Sequence, residues 1–173
     1  MQVFFFSAPV TILLIFTIWG IVPLLLAYLS LKIPDRFFEP TRFLWRVHGF
    51  EKNGRLYERV FQIRRWKHLL PDGGGVWKKR SYKKRNLSDY SEENLHRFLI
   101  ETSRGELVHW LGISPFWVFG LFAPPEVIWI MLLYALVVNL PCIIAQRYNR
   151  PRVYALYQRL YPKNNEAEEK AIG

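Results

Sequence analysis

The chain has 173 residues, of which 51% are hydrophobic and 17% aromatic, and its formal net charge is +10. So many aromatic residues are unusual in a soluble domain and typical of the Trp and Tyr belts at membrane interfaces, so length and composition predict a single membrane domain, residues 1–173. The single cysteine, Cys142, excludes an intrachain disulfide and a cysteine-based metal site.

The first predicted element is a transmembrane helix over residues 3–31, an apolar stretch longer than the roughly 20 residues that cross a bilayer. Gly20 and Pro23 are expected to kink or tilt this helix. A cleaved signal peptide is the alternative, but the chain lacks a positive n-region and the apolar stretch is too long for a usual h-region. The basic residues that follow favour the cytoplasmic side for its C-terminal end: Lys32, Arg36, Arg42 and Arg46.

Residues 32–90 are predicted to form a basic cytoplasmic and interfacial segment. Asn53-Gly54 indicates a turn or a helix start. From Arg55 to Leu70 the apolar residues recur at helical spacing among basic ones, which predicts a basic amphipathic helix lying in the membrane interface. The most basic run, residues 77–85, favours anionic lipid headgroups or a charged cosubstrate as partners, and no nucleic-acid partner is predicted.

The remaining chain predicts a transmembrane helical hairpin. Ser91 resembles an N-cap for a polar-faced helix that enters the membrane within residues 91–123, and residues 126–146 form a second transmembrane helix. Residues 147–173 are a basic tail whose end is expected to be disordered. The fold class is therefore an all-α integral protein of the cell membrane, with the bulk of the loop on the cytoplasmic side.

One face of the polar-faced helix carries the reactive side chains. Glu101, Thr102, Gly105, Glu106 and His109 share an arc of roughly 140° on a helical wheel. Ionisable groups at membrane depth are costly and usually mark function, so this face is a candidate reaction site. The alternative is a polar face that merely packs against the basic loop.

Glu106 and His109 stand three residues apart, close enough on a helix to interact. A histidine with a carboxylate partner can act as a general base, and Glu106 or Glu101 would stabilise the imidazolium. A metal site is the alternative, but the Glu-x-x-His fragment occurs once, so no metal is predicted. Neither Cys142 nor Ser103 is a convincing nucleophile, which favours direct base-assisted transfer over a covalent intermediate.

Arginines and amides alternate at the predicted membrane exit, residues 146–152. Arginine forks suit phosphate and carboxylate groups. Anchoring the chain to a membrane needs only charge, so the Gln, Tyr and Asn among these arginines favour a binding role. The predicted substrate-binding residues are Trp66, Lys67, Arg104, Arg147, Asn149, Arg150 and Arg152.

Five segments occur in consistent order over roughly residues 45–160, and the last is the most specific. They are Tyr57–Ile63, Trp66–Gly74, Glu101–Glu106 with His109-Trp110, Asn139–Ile144 and Gln146–Arg150. Together they resemble the glycosyl-4,4'-diaponeurosporenoate acyltransferases, small bacterial membrane enzymes that complete staphyloxanthin-type carotenoid pigments.

The resemblance implies a last biosynthetic step in which a fatty acyl group esterifies the C6 glucose hydroxyl of a glycosyl C30 carotenoid. Acyl-CoA is the expected acyl donor, no cofactor is expected, and association with other carotenoid enzymes is a further expectation. We interpret His109 as the base that deprotonates the sugar hydroxyl, with anionic groups held by Lys67, Arg147, Arg150 and Arg152. The alternatives are a non-enzymatic membrane adaptor of a pigment-synthesis complex and an acyltransferase acting on another glycolipid.

Overall fold

The computed structural model describes residues 2–70 and 89–162, and these residues form helices and turns without a β-strand. The all-α class is therefore confirmed for the described part of the chain. The basic run 77–85 and the tail from residue 164 lie outside the described residues. The α-helices are α1 (Ala8–Ser30), α2 (Arg55–Phe61), α3 (Ile63–Trp66), α4 (Glu92–Ile113) and α5 (Pro125–Leu160). Short 3₁₀ helices span Asp35–Phe38, Gly49–Gly54, Lys67–Leu69 and Ser114–Leu121.

Two of these helices, α1 and α5, are long and apolar enough to cross a membrane, each with a mean hydropathy of 2.5 over its most apolar stretch. Helix α1 carries no charged residue, and its apolar side chains are largely exposed. Helix α5 has 36 residues, which gives it a length of about 54 Å at 1.5 Å per residue. It therefore exceeds the roughly 30 Å hydrocarbon core of a bilayer. Both helices are consistent with a membrane protein.

The described residues form two compact units. Unit 1 draws on Met1–Lys32 and Glu106–Ile143. In its core, Trp19 stacks on Phe119 with 5.4 Å between ring centroids, and the Trp19 indole nitrogen lies 3.3 Å from the sulfur of Met131. Aromatic stacking and sulfur contacts of this kind hold apolar helices together without any charged group.

Unit 2 draws on the described residues within 33–105 and 144–173. In its core, Leu95 and Leu99 of α4 pack with Tyr157 of α5, and the two leucines are fully buried. Their spacing of four residues puts both leucines on one face of α4, as the helical period requires.

The start of α4 agrees with the N-cap predicted at Ser91. The Leu95 amide donates to the Ser91 carbonyl at 3.0 Å, which closes the first turn. The Ser91 amide and hydroxyl each contact the Asp89 carboxylate at 2.8 Å. These hydrogen bonds hold the pKa of Asp89 below its usual range, and the bond from the Ser91 backbone amide has the larger effect. A carboxylate at this end also complements the helix dipole.

Gly54 confirms the turn predicted at Asn53-Gly54. Lys52, Asn53 and Gly54 all adopt left-handed backbone conformations, with φ values of 47°, 54° and 81°. Gly54 is then the residue that precedes α2. A Cβ atom at Gly54 would lie 2.7 Å from the Tyr148 carbonyl oxygen, so α5 can approach this turn only because residue 54 has no side chain.

One predicted helix is divided, and another helix continues beyond its predicted membrane span. The single helix expected from Arg55 to Leu70 is broken at Gln62, which has a φ of 50° and separates α2 from α3. This left-handed residue turns the chain so that Ile63 is fully buried. The helix expected to end at residue 146 continues to Leu160. It runs through Pro151, whose burial shows that packing offsets the lost backbone hydrogen bond.

The other arm of the predicted hairpin is also divided. Helix α4 ends at Ile113, and a 3₁₀ helix carries the chain over Ser114–Leu121. Pro115 explains the boundary, because it has no amide hydrogen to donate to the Leu111 carbonyl and its ring crowds that carbonyl.

Candidate active site

The imidazole of His109 is oriented by an amide from a second helix of unit 1. Its Nδ1 lies 3.0 Å from Oδ1 of Asn139. The Asn139 Nδ2 donates to the Ala135 carbonyl at 2.9 Å. Because a carbonyl can only accept, this bond fixes which end of the amide is oxygen. His109 Nδ1 must therefore carry the proton toward Asn139, and in the neutral ring Nε2 is the basic nitrogen.

Gly112 leaves room for this contact. A Cβ atom at Gly112 would lie 2.9 Å from Asn139 Oδ1, closer than side chains normally approach. Asn139 is itself 8% exposed, so its amide is held within the packed interior of unit 1. A small residue at 112 is therefore a condition for the observed His109–Asn139 hydrogen bond.

Glu106 is a buried carboxylate on the same helix, only 1% exposed. Its Oε1 accepts a hydrogen bond from the Trp110 indole at 3.3 Å. Burying a carboxylate is costly unless hydrogen bonds or opposite charge offset the loss of water. The predicted pairing of Glu106 with His109 stays a prediction.

In unit 2, Arg104 is held by carboxylates rather than presented to solvent. Its guanidinium contacts Asp35 and lies 3.4 Å from the Glu101 carboxylate. The same group lies over the Phe38 ring at 4.7 Å and donates to the Ile33 carbonyl at 3.4 Å. Two predicted site residues, Glu101 and Arg104, are thus brought together as an ion pair one helical turn apart.

Glu51 is the second buried carboxylate, also 1% exposed. It accepts hydrogen bonds at 2.7 Å from the Tyr57 hydroxyl and from the His48 amide. Arg147 lies 3.9 Å from it and donates to the Leu44 carbonyl at 3.4 Å. Arg147 therefore neutralises a buried acid of the fold, a role that its sequence neighbours do not reveal.

Arg150 is 1% exposed and packs against Trp45, with its guanidinium 5.7 Å from the ring and donating to the Trp45 carbonyl. Trp66 is partly buried, and its indole donates to the Phe61 carbonyl at 2.7 Å. Asn149 is partly exposed. These three predicted binding residues are therefore placed in unit 2, and their contact with a substrate stays a prediction.

Tyr148 gathers three basic residues, two of which were predicted from the sequence. Its buried hydroxyl accepts hydrogen bonds from Arg64 Nε at 3.1 Å and from Arg152. Lys67 Nζ lies 5.2 Å from the ring centroid, and the Arg152 guanidinium 4.8 Å from it. The hydrogen bond that Arg64 donates to Tyr148 raises the pKa of Arg64 above its ordinary value, so this guanidinium stays charged.

Sequence reasoning missed three residues of these arrangements. Asn139 carried a signal, because a polar residue in an apolar span usually has a specific partner. Tyr148 lies inside the arginine run but was not assigned a role. Arg64 carried no signal beyond its charge, since only the folded chain brings α3 to Tyr148.

A sequence model describing glycosyl-4,4'-diaponeurosporenoate acyltransferases matches residues 34–159, well over half of the chain. The chain belongs to this acyltransferase family. The match includes most of unit 2 and the whole of α4, so it contains every residue predicted for the site. The chain is accordingly an acyltransferase.

Curated relatives agree with the family assignment. Glycosyl-4,4'-diaponeurosporenoate acyltransferases of Staphylococcus aureus strains bovine RF122 / ET3-1 and MRSA252 are each 37% identical over 142 residues, covering 82% of this chain and 85% of the relative. The enzyme of strain Newman is 37% identical over 145 residues, covering 84% and 87%. No solved structure matches this chain.

Gly112→Ala tests whether the Asn139 amide orients His109 in this acyltransferase. The new methyl group should displace the Asn139 side chain, because a side-chain end yields more easily than helix backbone. Losing one neutral hydrogen bond, worth about 0.5–1.5 kcal/mol, should lower kcat about two- to tenfold. The matched control is Gly20→Ala, where a Cβ atom meets nothing within 4 Å. Equal turnover in both variants, at unchanged Tm, would contradict the orienting role.

Proposed function

We propose that this acyltransferase esterifies the C6 glucose hydroxyl of glycosyl-4,4'-diaponeurosporenoate with a fatty acyl group from acyl-CoA, as the last step of staphyloxanthin-type pigment synthesis. The observation that carries the proposal is the identity of 37% over more than four fifths of this chain with relatives named for that acceptor. The two apolar helices suit an acceptor whose polyene lies in a bilayer.

The proposed base is Nε2 of His109. Asn139 holds the Nδ1 proton, so the opposite ring nitrogen has the lone pair that can take a proton. As the sugar oxygen attacks the thioester carbonyl, its proton passes to Nε2 and a C–O bond forms. The C–S bond then breaks, and the imidazolium returns the proton to the leaving thiolate. The step is balanced and needs no nucleophilic side chain.

Glu106 is proposed as the carboxylate that stabilises the imidazolium, because it is buried three residues from His109 on α4. Glu101 was the other candidate, and its ion pair with Arg104 favours a structural role. By the same reasoning Arg104 and Arg147, each facing a carboxylate, are weaker candidates for binding substrate anions than Lys67 and Arg152.

The proposed location is the cell membrane, with the segment after α1 on the cytoplasmic side, where acyl-CoA is made available. The membrane location is supported by apolar side chains of unit 2 that are exposed, which is unfavourable in water. Phe43 is 83% exposed and Leu69 73%, and exposed basic residues such as Arg42 and Arg46 belong to the same unit. Apolar and basic side chains together are typical of surfaces that lie in a membrane interface.

Expression of the chain in a host that makes the unacylated glycoside and lacks its own acyltransferase tests the acceptor. We expect chromatography and mass spectrometry of the pigments to show an ester at the glucose C6 position in place of the free glycoside. An unchanged glycoside would contradict the proposal. An ester found on a different glycolipid would also contradict it, in favour of the alternative acceptor.

A further inference from the structure

Three cationic side chains of unit 2 meet on one neutral tyrosine. Arg64 and Arg152 both donate to the Tyr148 hydroxyl oxygen, and Lys67 lies over the face of its ring. The phenol is 1% exposed, whereas Arg64 and Arg152 are exposed and Lys67 is half-buried. The buried tyrosine thus holds the two arginine side chains in position, while the three basic residues remain accessible to solvent.

Among the described residues, the cluster has more positive than negative charge. Glu58 accepts the backbone amide of Arg64 at 3.2 Å, and its carboxylate also helps to raise the pKa of Arg64. No carboxylate oxygen within residues 2–70 and 89–162 lies within 4.0 Å of a cationic nitrogen of Arg64, Lys67 or Arg152. Elsewhere in unit 2 the arginines do face acids, as Arg104 and Arg147 show. Three positive charges near one carboxylate of the described residues repel one another, and a bound anion would reduce that repulsion.

We propose that Arg64, Lys67 and Arg152 form a phosphate-binding site built on Tyr148. Two guanidinium groups and one ammonium group match the several oxygens of a phosphate better than the two of a carboxylate. Arg64 is the new member, and it comes from α3, far from Arg152 in sequence. The neutral hydroxyl of Tyr148 positions both guanidinium groups without cancelling their charge.

The ligand is a phosphate ester, and two sources offer one. The first is the nucleotide part of acyl-CoA, a choice that depends on the proposed acyl transfer. The second is the headgroup of an anionic phospholipid, which needs only the membrane. Both present phosphate oxygens, so the site's chemistry is the same in either case.

Calorimetry on the full chain in phosphatidylcholine nanodiscs tests the first source with 3',5'-ADP as the probe. We expect binding that weakens about ten- to a hundredfold in Arg64→Gln and in Lys67→Gln, since a charge-assisted hydrogen bond is worth about 1.5–3 kcal/mol. Lys67→Gln removes only a contact with the ring face, so its fold should persist. The matched control is Arg65→Gln, an exposed neighbour on α3.

The second arm measures binding of the full chain, in mild detergent, to vesicles of phosphatidylcholine with or without phosphatidylglycerol. If 3',5'-ADP binding is lost in the two variants and kept in Arg65→Gln, the site is supported and acyl-CoA is the source of the phosphate. If the same variants instead lose binding to vesicles that contain phosphatidylglycerol, the site is supported and a lipid headgroup is the source. If Arg64→Gln and Lys67→Gln match Arg65→Gln in both arms, the site is overturned.

Failure of the site and failure of the proposed function give different results. If the chain does not transfer an acyl group to the glycoside, the proposed function fails. The phosphate site still predicts weaker binding of its probe in Arg64→Gln and Lys67→Gln, and unchanged binding in Arg65→Gln. Acyl transfer with an unchanged KM for acyl-CoA in both variants, together with unaltered binding, would reject the site and leave the function standing.

Discussion

His109→Ala is expected to lower the rate of ester formation about 10²–10⁴-fold, the usual cost of removing a general base. The alanine cannot accept the proton of the sugar hydroxyl, whereas binding of the acyl donor should be little changed. The rate is measured as kcat for ester formation by the purified protein in nanodiscs. Added imidazole should restore part of the lost rate, because it supplies the missing base from solution.

His68→Ala is the matched control for this experiment. His68 is exposed and lies in the 3₁₀ helix Lys67–Leu69, so its removal should leave kcat near the wild-type value. A His109→Ala protein that folds normally and esterifies at the wild-type rate would remove His109 from the mechanism. Equal losses in the two variants would point to a general effect of histidine removal and would contradict the assignment as well.

Gly54→Ala is expected to destabilise the protein by about 2 kcal/mol or more. A left-handed backbone costs an alanine about 1–2 kcal/mol. The contact of 2.7 Å between the new Cβ and the Tyr148 carbonyl oxygen adds to this cost, because backbone cannot yield cheaply. For a chain of this length the Tm should fall by about 4–8 °C. Thermal unfolding followed by circular dichroism gives the measurement.

Gly49→Ala is the control, since residue 49 has an ordinary φ and a Cβ atom there meets nothing within 4 Å. Its Tm should stay within about a degree or two of the wild-type value, as surface substitutions usually cost under 0.5 kcal/mol. If Gly54→Ala unfolds at the same temperature as Gly49→Ala, the close approach of α5 to this turn is not a constraint on the fold.

The sequence predicted those features that depend on neighbouring residues. Apolar length located α1, and the Asn53-Gly54 pair located a turn whose left-handed backbone the structure shows. Ser91 marked the start of α4. Each of these signals lies within a few residues of the feature that it predicts, so no tertiary information was needed.

Features that depend on partners distant in sequence could not be predicted in the same way. The i, i+3 spacing suggested Glu106 as a partner of His109, and that pairing stays a prediction. The hydrogen bond that the structure shows joins His109 to Asn139, thirty residues away on α5, and no local spacing predicts it. The break at Gln62 has neither Gly nor Pro to signal it, and the residue that follows it, Ile63, is fully buried. Arg64 joins the basic cluster only through that same break.

Proline in α5 shows how packing can reverse a local rule. The predicted transmembrane helix was given an end at residue 146, before a basic tail, yet α5 continues through Pro141 and Pro151 to Leu160. Tyr148 and Tyr157, both buried on this extension, supply contacts that outweigh the missing backbone hydrogen bonds. Residues that disfavour helix, such as proline, predict the end of a helix well only where tertiary contacts do not stabilise the helix beyond them.

We propose that His109, oriented by Asn139, is the base with which this acyltransferase acts on a membrane-embedded glycoside. The most direct test is CoA thiol release and ester formation by the purified chain, given acyl-CoA and glycosyl-4,4'-diaponeurosporenoate in nanodiscs. We expect thiol and C6 ester to appear in equal amounts, only when the glycoside is present, and to be nearly abolished in His109→Ala. Folded protein that releases no thiol above the blank and forms no ester, or His109→Ala that matches wild type, would contradict the account.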